Sequence, residues 1–305
     1  MFNLITILGP TATGKTALAS GLAALIGGEI ISADSRQVYR GMDLGTGKDL
    51  KDFVVDGKPI PYHLIDIVDP GYEYNVFEFQ QDFLKALNVI SERGNQPILC
   101  GGSGMYLDAI LRNYKLDKVP ENRKLRAELL EVSDDFLVQK LRSYGPIHNI
   151  SDTDSQDRLI RAIEIREFEK KYPDLKGGLP EISFINFGIR FEREIIRQRI
   201  TERLKNRLEE GMIEEVKRLL GSGLKPEQLT FYGLEYKYLT LYVIGEISYD
   251  EMFSKLNTAI HQFAKRQMTW FRRMEKKGVK IHWIDGENSL EEKLAVIGGM
   301  LPEWE

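Results

Sequence analysis

Cysteine, histidine and long apolar runs are scarce in this chain of 305 residues. Its single cysteine, Cys100, excludes an internal disulfide framework, and its four histidines are too scattered for zinc-ligand spacing. No apolar run approaches the roughly 20 residues that span a bilayer. After Met1 come Phe2-Asn3-Leu4-Ile5, without the basic segment or small-residue cleavage site of a signal peptide. A soluble protein of the reducing cytoplasm is expected. Charge of one sign is also lacking: 42 Lys and Arg against 46 Asp and Glu leave a net −4, so no global field announces a nucleic-acid partner. That acidic total and the lack of an obvious apolar patch lead us to expect a monomer. There is no internal repeat and no low-complexity tract.

What is present is an alternation of strand and helix signals. Leu4 to Leu8 is apolar without alternation, as in a strand buried on both faces of a parallel sheet. Glycines and a helix former follow. Glu29 to Ala33, His63 to Ile67 and Pro97 to Cys100 read as further strands, and Phe77 to Arg93 as a helix. This order predicts a three-layer α/β core. From about Asp117 to Tyr172 strand signals fade, and helical patterns occupy Arg123–Glu131, Asp134–Arg142 and Gln156–Lys170. Strand-like alternation returns at Ile182 to Phe187. One long helix is predicted over Arg193–Leu220, another over Tyr249–Lys277, and a last strand over Val279–Ile284. The expected organisation is a first core part (1–116), a helical insertion (117–172), and a second core part with basic C-terminal helices (173–305).

Between the first strand and the first helix stands Gly9-Pro10-Thr11-Ala12-Thr13-Gly14-Lys15-Thr16, a G-x-x-x-x-G-K-T spacing. In that context it predicts a P-loop, and the core becomes P-loop NTPase-like. Backbone amides of a glycine-permitted turn and the helix N-terminus cradle phosphates. Lys15 adds an ammonium, and the Thr16 hydroxyl can ligate Mg²⁺. The strand ending at Cys100 runs into glycines instead of an acidic residue. Asp34, at the end of the second strand, is therefore the carboxylate best placed to face the phosphates, as a metal-side ligand, a general base or simply a helix N-cap. Seven Lys or Arg lie between His261 and Lys280, with Glu275 the only acid, interleaved with Phe263, Trp270 and Phe271. This composition suits phosphate neutralisation and base packing, and equally a solvated helix face.

Taken together, the P-loop, Ser32-Ala33-Asp34-Ser35-Arg36-Gln37-Val38-Tyr39, His63-Leu64-Ile65-Asp66, Gly101-Gly102-Ser103-Gly104-Met105-Tyr106, Arg158-Leu159-Ile160-Arg161 and Ala264-Lys265-Arg266-Gln267-Met268-Thr269-Trp270-Phe271-Arg272 resemble the tRNA dimethylallyltransferases. The motifs occur in the family's order from residue 9 to residue 272. The resemblance implies transfer of a dimethylallyl group from its diphosphate to N6 of the adenosine 3′ of the anticodon, with Mg²⁺ as cofactor. Gly9 to Thr16 would then hold the diphosphate, helped by Arg199 and Arg203, and Lys15, Asp34 and Ser103 would be catalytic, Asp34 as general base. Asp34, Ser35, Arg36, Gln37, Ser103, Lys265, Arg266, Gln267 and Arg272 would meet the tRNA anticodon stem-loop, and so would Arg126, Arg158 and Arg161 in the insertion. Gln37 offers a donor and an acceptor to an adenine edge.

The chain departs from the family in places. Ser103 stands where threonine is usual. Arg207 replaces a frequent methionine and is expected on a solvated face. Ser155, preceded by Asp154, stands where an aspartate is usual, Gly233-Leu234-Glu235-Tyr236 replaces a Gly-Tyr-Lys or Gly-Tyr-Arg signature, and Ala259-Ile260-His261 replaces a basic run. Prenylation of free AMP, ADP or ATP, phosphoryl transfer by a kinase, and a non-catalytic RNA-binding role are the competing readings. The basic helix and the insertion favour a macromolecular acceptor, since a mononucleotide needs neither.

Overall fold

In the computed structural model, residues 3–147, 153, 155–172 and 179–301 are described. Compactness divides them into one unit of residues 1–113 and 179–305 and a second of residues 114–178.

The larger unit is built on a parallel sheet. Its strands are β1 (Leu4–Leu8), β2 (Gly28–Ala33), β5 (Tyr62–His63), β6 (Gln96–Gly101), β7 (Phe184–Arg190) and β8 (His282–Asp285), ordered β5-β2-β6-β1-β7-β8. β3 (Val54–Val55) and β4 (Lys58–Pro59) form a separate antiparallel hairpin. Alternation along β1 sends Leu4 and Leu8 into a cluster with Phe79, Phe83, Leu107 and Phe271. Ile5 and Ile7 point the other way, among Leu18, Leu22 and Ile297. These partners belong to α2 (Val76–Glu92), α3 (Gly104–Leu111) and α11 (Tyr249–Lys276) on one face, and to α1 (Lys15–Ile26) and α12 (Leu290–Gly298) on the other. Each buried Phe or Leu contributes about 1.5–3 kcal/mol relative to exposure, and together they fix the sheet between two helical layers.

A third cluster gathers Val38, Tyr39, Met42, Ile200, Met212, Tyr236 and Leu256. Beside α11 it involves α7 (Arg193–Glu209), α8 (Met212–Gly221), α9 (Pro226–Phe231) and α10 (Leu234–Val243). The single helix expected over Arg193–Leu220 is two, because Gly211 takes φ 103° and turns the chain. Buried Glu215, on α8, then reaches back to accept hydrogen bonds from the amides of Asp43, Leu44 and Gly45. The strand expected over His63–Ile67 stops at His63, since Leu64 and Asp66 adopt φ 62° and 55°.

The second unit has its own core of Leu129, Leu137, Leu141, Leu159, Ile160 and Ile163. These line α4 (Arg123–Leu130), α5 (Asp134–Ser143) and α6 (Gln156–Lys171). Side chains of Asn122, Ser133 and Ser155 cap the three helices by accepting from the amides of Leu125, Phe136 and Arg158. Ser155, one of the departures, is thus an N-cap, while Asp154 lies outside the described residues.

Candidate active site

Register brings the site together. Leu8 on β1 stands opposite Gly101 on β6, and Gly101 stands opposite Ala33 on β2. The segments that follow, Gly9 onward, Gly102-Ser103 and Asp34-Ser35, therefore leave three adjacent parallel strands at one level. In open parallel sheets this carboxyl end is where ligands bind.

The P-loop turns tightly enough to need its sequence. A Cβ on Gly9 would meet the Ile189 carbonyl at 2.8 Å, and Gly14 takes φ 78° just before α1. Ala12, at φ 64°, is in the same left-handed region without being glycine, a strained position of the kind found at ligand sites. The Thr13 hydroxyl donates to the Pro10 carbonyl at 2.9 Å, and Lys15 Nζ donates to the same oxygen at 2.7 Å. Burial pulls the Lys15 ammonium down to about 8, with Cys100 and Asp34 opposing and Arg203 adding to the drop. An arriving diphosphate supplies the negative charge that this ammonium lacks.

Both expected arginines of α7 reach the loop. Arg199 Nε donates to the Ala12 carbonyl at 3.0 Å, and Arg203 Nη1 to the Thr11 hydroxyl at 3.1 Å. Arg207 is not on a solvated face. It is only 7% exposed, and its guanidinium pairs with both Asp49 carboxylate oxygens at 3.0 and 2.9 Å while donating to the Leu44 carbonyl at 2.8 Å. Spaced four apart on α7, Arg203 and Arg207 face the same carboxylate, with Arg203 Nη2 2.8 Å from Asp49. Burial alone would raise the Asp49 carboxyl, but Arg207 and Arg203 hold it below the ordinary range. Asp49 was invisible as a partner in the sequence because its arginines lie more than 150 positions away.

Asp34 heads a turn, not a helix. Its Oδ1 accepts from the Arg36 amide at 2.9 Å, and its other oxygen has no hydrogen-bond partner among the described residues. The Ser103 hydroxyl accepts from the Ser35 amide at 3.0 Å, tying the loop after β6 to the loop after β2. Gln37 is engaged at both ends: its Oε1 accepts from the Ser32 hydroxyl at 2.9 Å and its Nε2 donates to the Gly47 carbonyl at 3.1 Å. One of its two N–H donors and one of its acceptor lone pairs are thereby used within the protein.

Gln267 points inward as well. It is 7% exposed, accepts from the Thr11 amide at 2.9 Å and donates to the Gly102 carbonyl at 2.9 Å, joining the P-loop to the loop after β6. Trp270 packs flat against Gly104, where a Cβ would lie 2.4 Å from the indole, and Phe271 is fully buried. Neither ring is a free stacking surface. Lys265, Arg266 and Arg272 are exposed. Lys265 and Arg272 line a cavity of about 950 Å³ between α7 and α11, together with Pro10, Arg190, Arg193 and Arg197. In the second unit, Arg126 and Arg161 pair with buried Glu164, and Arg158 is exposed on α6.

No group of three or more His, Cys, Asp or Glu side chains able to hold a metal occurs among the described residues. A magnesium ion bound through phosphate oxygens does not require one, since it takes few protein ligands and keeps several waters. Thr16, in the first turn of α1, has a hydroxyl without a hydrogen-bond partner among the described residues and fits that role.

A strand–glycine-rich loop–helix with Lys15, two arginines and a carboxylate around it is an arrangement of an α/β protein that suits a phosphorylated ligand. The IPP transferase family description matches residues 37–274, and the chain belongs to that family. It is 56% identical over 303 residues to tRNA dimethylallyltransferase 2 of Bacteroides fragilis, covering 99% of each chain. It is 57% identical over 295 residues to tRNA dimethylallyltransferase 1 of Parabacteroides distasonis, covering 96% of each. Among solved structures, the tRNA isopentenylpyrophosphate transferase of Bacillus halodurans superposes with a TM-score of 0.70 at 32% identity, over 97% of this chain and 94% of that one. A eukaryotic dimethylallyltransferase acting on tRNA shares the fold, with a TM-score of 0.77 at 23% identity over 97% and 79%.

Proposed function

We infer that the protein is a tRNA dimethylallyltransferase that takes its prenyl group from dimethylallyl diphosphate. The observation that carries this reading is the level register of three strand ends, which sets Lys15 and its loop beside Asp34 and Ser103. The acceptor is N6 of the adenosine 3′ of the anticodon, presented by the anticodon stem-loop.

In the reaction the allylic C–O bond breaks and the electron pair leaves with diphosphate. A C–N bond forms, and the N6 proton passes to Asp34. Charge develops on the leaving oxygens, where Lys15, Arg199, Arg203 and the amides of the loop stabilise it. The Thr11 amide is not among those donors, because Gln267 accepts from it. The adenine amine becomes acidic only as the bond forms, so a carboxylate with an unoccupied oxygen is a suitable base. Ser103 holds the Ser35 amide, and so fixes the turn that carries Asp34. Magnesium, held by Thr16 and the diphosphate, would supply further charge neutralisation on the leaving group.

Exposed Lys265, Arg266, Arg272 and Arg158, with Arg126 and Arg161, are assigned to RNA phosphates or bases. Gln37 and Gln267 act from inside, by shaping the loops that Asp34 and Thr11 belong to. We take the protein to act as a cytoplasmic monomer, as the single cysteine and the net charge of −4 suggest. Among the described residues no helix is long and apolar enough to cross a membrane.

An acceptor assay with dimethylallyl diphosphate, run in parallel on unmodified tRNA, AMP and ATP, tests this reading. Prenylated tRNA with inert mononucleotides is expected. Turnover of AMP with none of tRNA would replace the macromolecular acceptor by a nucleotide.

A further inference from the structure

Glu235, in the first turn of α10, is a half-buried carboxylate beside an exposed aromatic ring and an arginine. Phe231, at the end of α9, is 54% exposed, and the Arg36 guanidinium lies 5.5 Å from its ring centroid. Arg36 also gives its amide to Asp34 Oδ1, so this stacked pair begins two residues from the proposed base. Gly233 caps α10 at φ 129°, and a Cβ built there would sit 3.8 Å from Glu235 Oε2 and 3.9 Å from Arg36 Nε. Phe231, Arg36 and Glu235 thus surround one small corner kept open by a glycine.

We propose that this corner is a subsite for the nucleobase flanking the reacting adenosine, stacked on Phe231 and Arg36 and read by Glu235 through its exocyclic amino group. The proposal rests on the RNA-prenylation reading. An exposed aromatic ring beside a guanidinium is a stacking platform that any base can use. A carboxylate oxygen accepts from N–H and repels carbonyl oxygen, so the corner favours adenine, cytosine or guanine over uracil, which has no amino group. Arg203 and Arg207 are held by Asp49, and no ion pair engages Glu235 among the described residues. Burial raises its carboxyl above the ordinary range, Arg207 and Arg203 oppose the rise, and Asp34 adds to it, as expected of a group that faces the same pocket.

The test uses anticodon stem-loops in which each nucleotide flanking the acceptor is changed in turn to uridine, or to a purine lacking its amine. Removing the amine at one flank should lower kcat/KM about ten-fold or more in the parent enzyme, in line with one base-reading hydrogen-bond set. Glu235→Met should abolish that discrimination, Glu235→Gln should keep part of it, and Phe231→Ala should raise KM for every RNA alike. Affinity for dimethylallyl diphosphate should stay unchanged in all three, which separates a lost subsite from a damaged fold. Equal discrimination in Glu235→Met and the parent, or none in the parent, overturns the subsite while leaving RNA prenylation intact. If the parent modifies no stem-loop at all, the underlying reading fails instead.

Discussion

Asp34 directly follows a strand, accepts the Arg36 amide with one oxygen and presents the other, so its base role depends on a turn as much as on a carboxylate. Asp34→Asn keeps that turn and removes the base. Its kcat is expected to fall about 10²- to 10⁴-fold with donor affinity unchanged, measured by single-turnover transfer and by donor titration. Lys15 makes a complementary prediction. Its ammonium is drawn down to about 8, so the free enzyme loses this charge as pH rises through about 8, and donor binding weakens above that point. Bound diphosphate favours the charged form, which means proton uptake accompanies binding near pH 8. A donor Kd that stays flat from pH 7 to 9.5 would contradict the assignment, and Lys15→Met should flatten the profile at a weaker Kd.

Among the elements, α7 and α11 do more for the site than their surfaces suggested. Gln267 is a brace between the P-loop and the Gly102 loop, not an outward contact. Gln267→Ala leaves a buried amide and carbonyl without partners, at about 1–3 kcal/mol. The urea midpoint and kcat should both fall while KM for RNA holds. A raised KM for RNA at full stability would instead restore Gln267 to the RNA surface. Arg207→Met should lower stability by about 1.5–3 kcal/mol, the range for hydrogen bonds to a charged group, read from the same urea curves.

Much at this scale was legible in advance. Strand–P-loop–helix, the parallel core, the three insertion helices and α11 follow from apolar period and glycine placement. The break at Gly211 was not, because a single glycine within a charged amphipathic run carries no cap signal. The sheet edge at His63 was not either, since Leu64 and Asp66 in left-handed backbone have no sequence signature. Within the site, Lys15, Thr16 and Asp34 could be found from local motifs. Asp49, Glu215 and the inward turn of Gln267 could not, because each depends on contacts formed across more than 150 residues of chain.

For the whole molecule, a net charge of −4 coexists with exposed cations on α11 and around the cavity beside Pro10. RNA affinity should therefore fall with salt despite the acidic total. Lys265→Ala and Arg272→Ala should each reduce the slope of log K against log salt by about one, leaving donor affinity alone. An unchanged slope in both variants would place the RNA elsewhere.

The central claim is that the P-loop grips a leaving diphosphate while carbon, not phosphorus, is transferred. Diphosphate release and prenylated adenosine counted in the same reaction, with dimethylallyl diphosphate and tRNA, test it most directly. One diphosphate per modified adenosine, with ATP giving no transfer of its terminal phosphate to any acceptor, is the expected result. Phosphorylated product from ATP, with dimethylallyl diphosphate inert, would contradict the account.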